Sequence, residues 1–592
     1  MRGQAATIVR PGWSGSGMFY NRSLPIPGQH FEGMSTTQTQ VYPCGFSSWR
    51  PDDVSSSTAV ACRPWPSLAD LSTELAMIIL EHLLEIDHRA AANARRVCRR
   101  LNDIATPLVY RTVSLNKNIV SREAELSQPQ ALLNIFRYTV HLTIPSNLDP
   151  YWIRRILERT ERLQQITWRY IRMNQWEKWS WRPCHVLDMN LIRQNRLKLH
   201  IEDLPIDICG GDLQKLYIQS IPPDMLASLK LGIPTPALST QLEALKKLLV
   251  QAHNLETLHY QDRGQGTHFT FTDGERLPPF KDLRLASYDW NHSADEVASH
   301  WDFSRLRLLE LVSMPTYLFL TSAPFPDLAN LDTLKVEDFS LHNSYRREEA
   351  TALLSTLVRD HIRALHTLDL RVHTSLFPTA AILAHAPTLQ VLSLRDHVGF
   401  GDENLRVPTL SVADLTTLSR SLSRLHTLEL DMDAHLVSTN AFLRSLCSFR
   451  RLHTLTLHVH TLVNPHSPHH HLPAAGPPPV PDRDREFAYR VFWFLVRARK
   501  VEEERGGGVP WRGIVVNVGG WQRNMVRRLG EAWKELNRRG VFGERCFVLS
   551  RVGEGEEGKE EYRTGEEFGG GLFLGGGLGE VEGEAYDSGR AE

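Results

Sequence analysis

The chain lacks most of the features that fix a protein's class at once. Its 592 residues include seven cysteines. They form no C-x-x-C pair and no zinc spacing, which argues for free thiols in a reducing compartment and against a disulfide scaffold. Long apolar runs are absent. The most apolar, Val491 to Val496, is far too short to span a bilayer. The start, MRGQAATIVRPGW, has no apolar core of a signal peptide. Net charge is nearly absent too, at −1 from 67 basic and 68 acidic residues, so nothing favours nucleic acid or an anionic membrane. No G-x-S-x-G, P-loop or H-E-x-x-H occurs. The expectation is a soluble intracellular protein, cytoplasmic or nuclear, that is not an enzyme and needs no cofactor or metal.

Two patterns stand out against these absences. The first lies in residues 64–115. Leu71, Leu75, Ile78, Ile79 and Leu83 recur at helical intervals and share one face. Ser72 is a good N-cap, and Glu74 lies in the first turn, where the helix dipole favours a negative charge. A second apolar pattern follows in Ala90, Ala94, Val97, Cys98 and Leu101, with Arg95, Arg96, Arg99 and Arg100 on a solvated outer face. Pro107 is expected to stop that helix, since it lacks the N–H and restricts Thr106. Such a stretch is too short for a large core. Its spacing is that of a compact helical module that docks on another protein.

In its ordered motifs this stretch resembles an F-box. The family opening, Leu-Pro-x-Glu-Leu followed by an Ile-Leu pair, stands here as Leu71-Ser72-Thr73-Glu74-Leu75 and Ile79-Leu80. The later VCRRL runs from Val97 to Leu101, and the fungal-type ending ATPLLYRTV stands as ATPLVYRTV from Ala105 to Val113. Ser72 replaces the family's usual Pro, and serine also starts helices. The resemblance implies binding to a Skp-type adaptor, and through it to a cullin-based ubiquitin ligase. The implied adaptor-binding residues are Leu71, Glu74, Leu75, Ile79, Leu80, Leu83, Val97, Cys98 and Leu101.

The second pattern is an internal repeat of the form L-x-x-L-x-L. It occurs as Leu163-Ile166-Trp168, Leu213-Leu216-Ile218, Leu255-Leu258-Tyr260, Phe280-Leu283-Leu285 and Leu306-Leu309-Leu311. It continues as Leu331-Leu334-Val336, Leu365-Leu368-Leu370, Leu389-Leu392-Leu394, Leu425-Leu428-Leu430 and Leu452-Leu455-Leu457. Helical patterns lie between units: one begins at Asp149-Pro150, others cover 241–252, 345–362, 411–424 and 439–450, and Ser411 with Asp414 reads as a capping box. Helix and short strand in turn give one coil per unit, and stacking makes the shared core. This resembles an irregular leucine-rich repeat array of the kind found behind F-boxes in fungal proteins. It lacks the family's Asn past the last leucine, where His373, His397, Asp433 and His460 stand.

The expected organisation is therefore α/β: a small all-α F-box module followed by a leucine-rich-repeat solenoid, with disordered tails. Residues 1–63 are read as a disordered segment, 64–115 as the helical module and 116–460 as the array. Residues 461–485 form a Pro/His-rich linker, 486–552 a terminal α/β cap with a helical stripe from Trp521 to Leu536, and 553–592 a Gly/Glu-rich mobile tail. The histidines at 466 and 469–471 lie in the linker without pre-formed metal geometry.

Leucines of each strand point to the core, so alternate residues point to the opposite, concave face. The candidate substrate-binding residues there are Asp369, Arg371, Arg395, Glu429, Asp431 and His458. They suit hydrogen bonding and charge pairing with an unknown protein substrate, and equally a solvated sheet face. The expected function is substrate recognition for a cullin-type ubiquitin ligase. The alternative is a non-catalytic scaffold that binds the adaptor without directing ubiquitination.

Overall fold

Leucine spacing settles the architecture. The computed structural model describes residues 71–171, 181–188, 196–206, 211–232, 242–262, 267–338, 344–396, 408–433, 439–460, 482–519, 545–554 and 560–568. Nine of the ten L-x-x-L-x-L units end in a strand. The strands are β1 Thr112–Ser114, β2 His141–Pro145, β3 Gln165–Arg169, β4 Lys198–Leu204 and β5 Leu226–Leu231. There follow β6 Thr257–Gln261, β7 Asp282–Ala286, β8 Leu308–Met314, β9 Thr333–Asp338, β10 Thr367–Val372 and β11 Val391–Asp396. The last are β12 Thr427–Met432, β13 Thr454–His460, β14 Gly513–Gly519, β15 Arg545–Glu554 and β16 Glu560–Phe568.

All sixteen join one open sheet in chain order, not closed into a barrel. β1 to β14 pair in parallel, and the final two pairings are antiparallel. Parallel neighbours need a crossover, and here helices supply most of them on one face. The result is a solenoid-like α/β fold in which each strand pairs only with its neighbours in the chain.

The core follows from register. Leu334, Leu368, Leu392, Leu428, Leu455 and Ile514 sit opposite one another on successive strands. All six are almost fully buried. Helix residues such as Ile153, Leu245, Leu415 and Leu446 join the same core. Local signals place these helices. Asp149 accepts the Tyr151 N–H at 2.9 Å, and Pro150 opens Pro150–Arg159. The Ser411 hydroxyl accepts the Asp414 N–H at 3.0 Å but turns its own proton to the Asp414 carboxylate, which leaves that capping box one-sided.

Three helices precede the sheet: α1 Thr73–Ile86, α2 His88–Ala94 and α3 Arg99–Val109. The second apolar pattern is thus split in two, because Cys98 is extended and caps α3. Pro107 does not stop α3, which continues to Val109. One lost backbone bond near a helix end is outweighed by burying Ala105 and Leu108.

Other expectations are corrected. The unit Leu213-Leu216-Ile218 lies in a helix, Gly211–Gln219; residues three apart also share a helical face, so L-x-x-L spacing fits both. The linker expected to reach 485 ends earlier, since Asp482 caps the helix Arg483–Glu504. The tail expected to be mobile from 553 carries β16, which pairs with β15. Its charge is partly met by Arg545, bound to Glu566 at 2.7 Å. Residues 1–63, the histidines at 466 and 469–471 and the Trp521 to Leu536 stripe lie outside the described residues.

Candidate functional site

Two surfaces emerge from this scaffold. The first is on α1. Ser72 caps the helix, its hydroxyl accepting the Leu75 N–H at 3.3 Å. Most apolar residues of α1 fall on two adjacent stripes, with Met77 and Leu84 outside them. One carries the buried Ala76 with Leu80 and Leu83, of which Leu80 and Leu83 pack inward with Leu101, Ala105, Leu108, Ala94, Cys98 and Ile104. This is a small core, separate from that of the sheet. The other stripe carries Leu75, Ile78, Ile79 and Ile86, at intervals of three, one and seven residues. They are 52%, 48%, 42% and 84% exposed.

The expected adaptor residues are therefore sorted. Leu75, Ile79 and Val97 lie in solvent, Val97 at 72% exposure. Leu80 and Leu101 are buried inside the module, where they hold helices together and cannot touch a partner directly. Leu83 and Cys98 are half-buried against that core, and the Cys98 sulfur accepts the Leu101 N–H. Glu74 is exposed and Leu71 half-buried, its carbonyl taking a bond from Arg100. Ile86, absent from the expected set, extends the exposed stripe by a turn; its spacing from Leu75 and Ile79 was the signal available.

The second surface is the helix-free face of the sheet. Strand alternation puts charged side chains there, and register brings opposite signs together. Arg284 lies between Asp282 (3.1 Å) and Glu310 (3.4 Å), and Glu310 also takes Lys335 at 2.9 Å. Arg371 binds Glu337 at 2.9 Å. Arg395 binds Asp431 at 3.3 Å, while Glu429 takes His458 at 2.7 Å. Asp369 lies 3.9 Å from Lys335.

This corrects the expected substrate set. Arg395, Asp431 and His458 are buried, and Arg371 and Arg395 reach different acids. Burial alone would raise Glu429, but the His458 hydrogen bond and the charges of His458, Arg395 and Arg371 hold its carboxyl at about 2. Burial dominates at Asp369 and raises it. Asp431 also accepts the Asp396 N–H at 2.6 Å, so it serves the backbone. This row is a ladder of internal pairs. Glu310 and Glu337, which complete it, occupy the same alternate positions in earlier units.

A cleft of roughly 640 Å³ near β3 is lined by Arg154, Glu158, Arg162, Gln164 and Asp188 among others. Among the described residues no group of three or more His, Cys, Asp or Glu is placed to hold a metal. No described helix is long and apolar enough to cross a membrane. No family model matches the chain, and no curated protein is significantly similar to it.

Proposed function

We propose that the chain is a substrate receptor of a cullin-type ubiquitin ligase, with α1–α3 as an F-box that docks a Skp-type adaptor and the sheet as a leucine-rich-repeat array that holds a protein substrate. The observation that carries this reading is the exposed stripe of Leu75, Ile78, Ile79 and Ile86 on a module that already has a core of its own around Leu80, Leu101, Ala105 and Leu108. Isolated exposed leucines are ordinary, but a contiguous stripe on one helix marks an interaction face. Such a receptor forms no bond itself. It raises the effective concentration of a substrate lysine near a ubiquitin-loaded enzyme, so it needs no catalytic residue.

The test is the double substitution Leu75→Asp with Ile79→Asp. Both side chains lie in solvent, so the module keeps its fold. In an adaptor interface the new charges are desolvated and unpaired. Adaptor pull-down is expected to fall by at least about 30-fold, the loss of one hot spot, with unchanged circular dichroism. A folded double variant that still captures the adaptor sinks the reading. Substrate half-life with the intact and altered chains then separates a ligase receptor from a scaffold.

A further inference from the structure

From β7 onward Arg284, Lys335, Arg371 and Arg395 each meet a carboxylate on the open face, but before β7 the cations outnumber the acids. Arg169, Lys198 and Lys230 all project from β3, β4 and β5 on the helix-free side, since their neighbours Trp168, Leu199 and Leu229 are in the core. Glu202 answers two of them by direct contact, while Lys198 acts on Glu256 only at longer range, that carboxylate being paired with Lys281 at 3.0 Å. Glu202 takes Arg169 at 2.7 Å and Lys230 at 3.1 Å, and Lys198 makes no ion pair among the described residues. Asp203 lies past them on a left-handed bulge, φ 56°.

Register fixes what lies between these cations. Thr143, Thr167, His200 and Ser228 stand side by side on β2 to β5. Lys198 is two residues before His200 on its own strand, and Lys230 is diagonal to it on the next. His200 Nε2 has no hydrogen-bond partner among the described residues. Burial pushes the His200 ring toward its neutral form, and the charges of His141, Lys198 and Lys230 push it further. His141 is lowered by burial and then by Arg111. At His200 the Glu202 carboxylate opposes these cations.

We propose that the open face of β2–β5, centred on His200, docks an acidic, unmodified peptide segment of a partner protein. Carboxylates lying across the strands would pair with Lys198 and share Lys230 with Glu202, and the half-buried Thr167 hydroxyl would donate to them. Nucleic acid is a poorer fit: tight phosphate-backbone binding draws on many cations, and this patch has a surplus of two over its one carboxylate. The proposal deepens the reading of the sheet as a partner-binding array and rests on that part of it, not on the adaptor.

The test uses the full chain and fluorescence anisotropy with three probes: a twelve-residue Glu/Gly peptide, its Gln/Gly counterpart and a single-stranded oligonucleotide of equal charge. The Glu peptide is expected to bind and the Gln peptide to fail. Lys198→Glu should weaken binding by about tenfold or more. Glu202→Gln should tighten it, because it frees Arg169 and Lys230; a merely structural role would not produce that gain. Equal binding of both peptides, or no response to either substitution, overturns the proposal. So does an oligonucleotide that binds as tightly as the Glu peptide. Adaptor pull-down is run on the same samples: its loss with peptide binding intact removes the ligase reading and leaves this one standing.

Discussion

Replacing Arg499 by Met is expected to destabilise the C-terminal end of the sheet by roughly 3 kcal/mol or more. The side chain is almost fully buried, and its guanidinium donates to the carbonyls of Cys447 (2.9 Å), Phe449 (2.8 Å) and Leu452 (3.1 Å). These carbonyls lie at and beyond the C-terminal end of the helix Thr439–Cys447, where a helix leaves acceptors without partners. The guanidinium also lies 4.3 Å from the Trp511 ring centroid. Arg499 thus joins the helix Arg483–Glu504 to the preceding coil and to the segment entering β14. Methionine fills similar space but leaves three buried acceptors unmet. Lysine should not rescue, since one ammonium cannot reproduce a planar fork stacked on a ring. Gly508→Ala should do milder harm at the same place, because a Cβ there would stand 3.0 Å from the guanidinium.

The loss should be local. In a solenoid-like fold each coil rests on its neighbours, so hydrogen exchange is the right measurement. Protection is expected to fall in β13, β14 and the helix Arg483–Glu504, and to hold in β6 to β10. A loss below about 1 kcal/mol would show that Arg499 is tolerated, not required.

The parts of the fold that were legible in the sequence are those where one periodicity stands alone. Leu368, Leu392, Leu428 and Leu455 are buried in register because each follows a leucine by three and precedes one by two. β4 and β5 were not foreseen. Leu197, Leu199 and Ile201 alternate but lack the leading leucine, and the bulge at Asp203 shifts the pairing. Met225, Leu226 and Ala227 are consecutive and buried, which hides the alternation of β5.

The site was less legible, for two reasons. Exposure on α1 depends on how little of it α2 and α3 cover, and Leu75 and Leu80 look equally apolar in the chain. Charge on the sheet face depends on register. Arg371 and Arg395 read as free cations until Glu337 and Asp431 are brought beside them.

Lowering the pH from 7.5 to 5 is expected to weaken the middle of the sheet well before its carboxylates titrate. His292 is the main cause. The Phe269 N–H donates to the Tyr288 hydroxyl at 2.8 Å, and that hydroxyl is hydrogen-bonded to His292 Nε2 at 2.9 Å. A neutral ring with Nε2 bare can accept the hydroxyl proton, and burial favours that neutral form. Burial pushes the ring down to about 4; His268 and His300 push the same way, and Glu296 opposes them. His385 is built alike: its Nδ1 accepts the Leu365 N–H at 3.2 Å and its Nε2 donates to the Val358 carbonyl at 2.7 Å. Burial lowers it too, partly offset by that carbonyl.

A depressed histidine takes its proton first in the unfolded chain. Stability is fully present above pH 6.5, falls as pH drops toward 4, and levels off below it. His292 alone accounts for roughly 3 kcal/mol over that window, and His385 adds to it. Glu429 and Glu275, both held at about 2, contribute losses only below their ordinary range near 4.5. Asp369 and Asp396, raised by burial, work the other way. The measurement is hydrogen exchange of β6 to β10 from pH 7.5 to 5, corrected for the intrinsic exchange rate, beside the same series for His292→Gln. Glutamine can still accept from Tyr288 but cannot titrate. The variant should start less stable at pH 7.5 and lose less on acidification. If both chains lose the same amount, His292 is not the group that senses the acid.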